Sequence, residues 1–184
     1  MTDTTLQNRK VAVLATDGFE QAELEKPIRA LKEAGATVEV VAPKGGEIQG
    51  WEHQDKGRKA PVDRTLDEVD ASAYDALVLP GGVMNPDALR LEPKAIEFVS
   101  GFVDADKPIA AICHGPWTLI NAGGVRGKTM TSWPSLETDL KNAGATWVDR
   151  EVVVDKGLVT SRKPDDLPAF CSEMIDLFAK AKAA

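Results

Sequence analysis

The chain has 184 residues, 43% of them hydrophobic, and a formal net charge of −7. That length suits one well-cored domain, here residues 1–184. The acidic balance argues against nucleic acid or a membrane surface as partner, and no apolar run approaches the roughly 20 residues of a membrane span.

Lys10 to Ala15 (KVAVLA) reads as a buried strand ending at Thr16-Asp17-Gly18. Phe19 to Ala34 reads as a helix with Phe19, Leu24, Ile28 and Leu31 on one side, Gly35 as its stop, and a kink or break at Pro27. Thr37 to Ala42 is the second strand, so the chain opens with a βαβ unit and a right-handed crossover. Residues 43–66 break the rhythm with several glycines and read as an excursion of small strands, followed by a helical turn near Leu66–Val69. Trp51 and His53 stand out there as an apolar ring and an imidazole in polar surroundings. Tyr74 to Leu79 is the third parallel strand, running into Pro80-Gly81-Gly82, and helical material follows over residues 85–100.

Ile109 to Ile112 is a short apolar run suited to a strand buried on both faces. Cys113, His114 and Gly115 follow, then Pro116, Trp117, Leu119 and Ile120 as a packed helix. The Ala111-x-Cys113-x-Gly115 spacing fits a nucleophile elbow, where small neighbours permit a tight turn that pushes one side chain outward. A lone cysteine after an apolar strand is commonly a small buried hydrophobe, but the adjoining His and Gly argue for a reactive thiol. Its place at a helix N-terminus predicts a lowered pKa. The glycine-rich stretch 123–129 lacks the first glycine and the leading strand of a P-loop. Ser135 to Ala143 reads as a helix, and Trp147–Val154 and Leu158–Ser161 as two strands joined by Asp155-Lys156-Gly157. The last helix starts at Pro164 with an inward stripe of Leu167, Phe170, Met174, Ile175 and Phe178, beside which Cys171 is structural.

Alternating strands and helices predict an α/β fold, a three-layer α/β/α sandwich with a mainly parallel, flavodoxin-like sheet. Three turns share the carboxyl edge of that sheet: Asp17-Gly18-Phe19-Glu20, Pro80-Gly81-Gly82 and Cys113-His114-Gly115. They offer a carboxyl group, free backbone amides, and a thiol with an imidazole, which together suit nucleophilic attack on a carbonyl. Two cysteines are too few for a disulfide framework, and the polar residues 1–9, expected to be flexible, are unlike a signal peptide, so a reducing, cytoplasmic setting is expected.

These motifs, from VAVLATDGFEQAEL through YDALVLPGG to KPIAAICHGPWTLINAGG, closely resemble the PfpI family of the class I glutamine-amidotransferase-like superfamily, over almost the whole length. The resemblance implies Cys113 as nucleophile, His114 as its neighbour, Glu20 as the carboxyl contacting the thiol, and the amides of Gly82 and His114 as oxyanion donors. It implies Asp87 as an acid meeting His114 across a subunit interface, hence a homodimer or larger homo-oligomer, for which Trp51 suits an interface core. Trp117, Trp133 and His53 are the pocket residues. The implied function is a stress-response enzyme acting on small reactive dicarbonyls or glycated protein, with no metal and no cofactor. A redox-sensing or chaperone-like stress protein and an intracellular cysteine peptidase are the alternatives.

Overall fold

A computed structural model describes residues 5–181. The chain forms β1 (Lys10–Leu14), β2 (Phe19–Glu20), α1 (Gln21–Glu33) and β3 (Thr37–Ala42). Next come β4 (Glu47–Glu52), β5 (Asp55–Pro61), β6 (Arg64–Thr65), β7 (Ala76–Leu79), α2 (Met84–Leu89) and α3 (Pro93–Asp104). After them lie β8 (Ile109–Ile112), α4 (Pro116–Asn121), β9 (Thr129–Met130), α5 (Glu137–Asn142) and β10 (Thr146–Trp147). The chain closes with β11 (Val152–Asp155), β12 (Leu158–Ser161) and α6 (Leu167–Lys180).

Seven strands form the main sheet in the order β11-β12-β8-β7-β1-β3-β6. Every pairing is parallel except β11 with β12. The central strands β7 and β8 are buried at every residue, which is why they read as unbroken apolar runs. Period two sorts their side chains onto two cores. Val11, Val13, Val78, Ile112 and Val159 pack with Leu24 and Leu31 of α1 and Phe170, Met174 and Phe178 of α6. Ala12, Leu14, Leu77, Leu79 and Ala111 pack with Phe98 and Phe102 of α3, Leu119 of α4 and Leu140 of α5. The result is the three-layer α/β/α sandwich, with β1, β7 and β8 delivering their turns to one edge.

The structure departs from the sequence expectations in four places. Residues 5–8 are not loose: Leu6 is buried, and its N–H donates to the Ala34 carbonyl at 2.8 Å; residues 1–4 lie outside the described residues. The helix starts at Gln21, because Phe19 and Glu20 are extended and pair with β4 in a small β2-β4-β5 sheet. α1 then runs through Pro27 without a break, giving up only the hydrogen bond that position 27 would have made to the Glu23 carbonyl. The stretch expected as one strand from Trp147 divides, with β10 pairing β9 and β11 joining the edge of the main sheet.

Candidate active site

At the end of β8 the backbone turns sharply, and Cys113 adopts φ +61°, in the left-handed region that side chains other than glycine seldom occupy. Its N–H donates to the Ser161 carbonyl and its own carbonyl accepts from the Trp133 N–H, each at 3.0 Å, so neighbouring loops hold the corner on both sides. Gly115 is required here, since a Cβ would lie 2.4 Å from the Leu79 carbonyl oxygen. The thiol is free and only 7% of the residue is exposed. The backbone N–H groups of Gly82 and His114 both donate to the sulfur. His114 Nδ1 lies 3.2 Å from it.

The carboxyl against the thiol belongs to Glu23, not Glu20. Because helix α1 begins at Gln21, Glu23 sits in its first turn, with its side chain directed back toward the N-terminus and under the turn after β7. Glu23 is completely buried, and its Oε2 accepts the Gly81 N–H at 3.0 Å. Burial foremost, then the charge of Glu20, pushes its carboxyl up to about 8. Glu20, at the extended residue before the helix, instead accepts the backbone N–H of His53 at 3.1 Å. Gly81 has no room for a side chain: a Cβ would stand 2.4 Å from Glu23 Oε2 and 2.6 Å from Cys113 Cβ.

The expectation of a thiol lowered by the helix terminus is overturned. Burial, then the charge of an ionised Glu23, pushes the Cys113 thiol well above its ordinary value, against the pull of the Gly82 and His114 amides. α4 has only six residues, so its field is small beside those effects. Cys171, half-buried on α6, is pushed up to about 11 by burial.

His114 is buried, and burial lowers its imidazole to about 4, so it is neutral at pH 7. Trp117 meets it edge-on at 5.1 Å and Trp133 stacks over it at 5.9 Å, with Trp133 39% exposed. Trp117 is held in turn by Asp139, to which its Nε1 donates at 2.8 Å, and by Arg90 over its ring. Asp87 is exposed on α2 and is not brought to His114 within the chain. His53 likewise stands apart from the two tryptophans. It occupies the tight turn between β4 and β5, at φ +58°, and with Glu20, Glu52 and Arg58 lines a cleft of about 640 Å³ that Cys113 does not line. Among the described residues, no group of three or more His, Cys, Asp or Glu side chains is placed to hold a metal ion. No helix among them is long and apolar enough to cross a membrane.

Sequence reasoning missed two residues of the site. Glu23 carried a usable signal, since positions 23, 24, 27 and 31 form the buried stripe of α1 and a carboxylate on such a stripe calls for a reason. Asn85 carried none. It is fully buried, accepts the Thr16 N–H at 2.8 Å, and donates to the Pro80 and Gly81 carbonyls at 3.2 and 3.1 Å, tying two sheet-edge turns together.

A cysteine held in left-handed geometry where a central parallel strand meets a helix defines an α/β protein of the nucleophile-elbow class. The model of the DJ-1/PfpI family matches residues 9–177, and the chain belongs to that family. Deglycase TK1284 of Thermococcus kodakarensis is 45% identical over 168 residues, covering 91% of this chain and 98% of the relative. General stress protein 18 of Bacillus subtilis is 42% identical over 174 residues, covering 94% of this chain and 99% of the relative. Among solved structures, a two-domain protein from Anabaena variabilis with DJ-1/ThiJ/PfpI-like and ferritin-like domains superposes with a TM-score of 0.87 at 34% identity. The match covers 96% of this chain and 52% of that one.

Proposed function

We propose that the chain is a cysteine-dependent, stress-related enzyme of the deglycase and glyoxalase kind, acting on small reactive dicarbonyls or their early adducts on protein. The observation that carries this reading is the sulfur of Cys113, which meets two backbone amides and a buried carboxyl at one strained corner. Loss of one proton from the Glu23–Cys113 pair leaves a single negative charge, which the Gly82 and His114 amides hold on sulfur while Glu23 keeps its proton. The thiolate adds to the aldehyde carbon, and Glu23 gives its proton to the new oxyanion. His114, neutral and 3.2 Å from the sulfur, takes the C1 proton to form the enediol and returns it to C2, while the C1 hydroxyl proton passes to the C2 oxygen. The resulting thioester of a 2-hydroxy acid is cleaved by water, which returns the thiol. With a carbinolamine adduct, the hydroxyl proton passes to nitrogen as the carbon–nitrogen bond breaks, the amine leaves, and the thiolate adds to the aldehyde so freed.

The proposal includes a homodimer. Among the described residues His114 has no carboxylate partner, while Asp87, beside the exposed Val83 and Met84, is free to meet the His114 of a second copy. The test is lactate formation from methylglyoxal by the wild-type chain and by Cys113→Ser and Glu23→Gln. Wild type should produce lactate, Cys113→Ser none, and Glu23→Gln at least tenfold less. Equal production by wild type and Cys113→Ser would refute the reading.

A further inference from the structure

The peptide group between Gly81 and Gly82 supplies one of the two amides aimed at the sulfur, and both ends of its orientation are held by named groups. The Gly81 carbonyl accepts from Asn85 Nδ2 at 3.1 Å and from the Glu20 N–H at 3.3 Å. On the other side of Gly81, its N–H is taken by Glu23 Oε2 at 3.0 Å. In a trans peptide the carbonyl and the following N–H point in opposite directions. Whatever fixes the Gly81 carbonyl therefore aims the Gly82 N–H.

We propose that Asn85 is a positioning residue of the site, which aims the Gly82 N–H at the Cys113 sulfur and at the oxyanion formed beside it by holding the Gly81 carbonyl on the opposite face. The part concerning the oxyanion rests on the reading given above; the part concerning the sulfur does not. Asn85 suits the task because its amide presents donors and an acceptor at once. Nδ2 takes the Pro80 and Gly81 carbonyls, Oδ1 takes the Thr16 N–H, and the side chain is 0% exposed, so water does not compete. Gly82 itself is at φ +80°, and a Cβ would lie 2.3 Å from the Gly18 carbonyl oxygen, so the turn carries no side chain of its own that could steer the amide. Asparagine on α2 steers it from outside.

The test uses Asn85→Ala and Asn85→Asp in the full chain. Asn85→Asp keeps the acceptor for Thr16 and sets an oxygen against the two carbonyls, so it should misdirect the amide most when ionised. With the Gly82 amide turned away, the thiolate loses a donor, and the midpoint of Cys113 alkylation by iodoacetamide should move to higher pH by about one unit. Methylglyoxal turnover should lose on the order of 10²-fold in kcat with KM little changed, the size seen when one oxyanion donor is removed. The Gly82 amide resonance should respond to Cys113 alkylation in wild type and stop responding in the variants. A purely structural role would lower the melting temperature but leave the alkylation midpoint and the Gly82 response as in wild type, and that result overturns the proposal. Should wild type fail to turn over methylglyoxal, the functional reading falls, while alkylation and resonance still decide the role of Asn85. Should neither variant fold, the wild-type Asn85 side-chain amide protons decide it: they should exchange as slowly as buried backbone amides, and rapid exchange overturns the assignment.

Discussion

Replacing Glu23 by glutamine isolates the buried carboxyl by a measurement that does not depend on any substrate. Glu23 is completely buried, and its carboxyl stands at about 8 against an ordinary 4.5. Between those values the folded chain keeps a proton that the unfolded chain has released, so this group makes the fold less stable as pH rises. At about 1.4 kcal/mol per unit, its cost is under about 1 kcal/mol at pH 5 and about 3 kcal/mol at pH 7. Glu23→Gln keeps the volume and an oxygen for the Gly81 N–H, but cannot ionise. Its stability relative to wild type should therefore climb by about 1.3 kcal/mol for each pH unit from 5 to 7 and more slowly toward pH 8. Urea unfolding of both proteins at pH 5, 6, 7 and 8, at one fixed chain concentration, measures this difference. His114 acts oppositely: lowered by burial to about 4, it reduces stability as pH falls below 6.5, and being present in both proteins it cancels. A difference that stays flat across the range would refute the reasoning, because Glu23 would then ionise like an exposed carboxylate.

Two further predictions concern the walls of the site. Gly81→Ala forces a Cβ to within 2.4 Å of Glu23 Oε2 and 2.9 Å of the Ile112 carbonyl, and should lower unfolding stability by at least about 2 kcal/mol. A urea midpoint equal to wild type would show that the turn has room the structure denies it. Trp133→Ala removes the ring stacked on His114 and admits water, so the imidazole should titrate nearer 6.5 than 4 by NMR; an unmoved midpoint would mean that other groups keep the ring dry.

The order of elements and the central strands were legible because β7 and β8 are apolar at every position, and only a parallel sheet covered on both faces accommodates that. The elbow was legible because Cys113 stands between such a strand and the helix-starting Pro116. Glu20 was misassigned for one local reason. Phe19 and Glu20 have the residue types of a helix start, but they pair with Gly50 and Trp51 of a hairpin that lies thirty residues on in sequence. That tertiary pairing delays the helix by two residues and passes the inward first-turn position to Glu23. Pro27 misled as well, since the loss of one backbone hydrogen bond inside the helix is outweighed by burying the ring. The role of Asn85 was not legible at all, because three backbone groups from two separate turns define it and none of them is encoded near position 85.

The energetics of the pair also decide which atom carries the proton when the site is charged. Burial disfavours any anion here, and Cys113 is 7% exposed while Glu23 is not exposed at all. Against that stand hydrogen bonds from two backbone amides to sulfur and one from Gly81 to the carboxyl. Charge-assisted bonds contribute about 1.5–3 kcal/mol each, enough to hold one negative charge but not a second one in contact with it. Two amides on sulfur against one on Glu23 work toward a thiolate beside a protonated carboxyl, against the burial that raises both groups. The charge of Glu20, anchored by the His53 N–H at the far side, adds to that preference, because it raises Glu23 without acting as strongly on the sulfur. In the proposed mechanism, a carboxyl that is costly to ionise is the partner that leaves the charge to the buried cysteine.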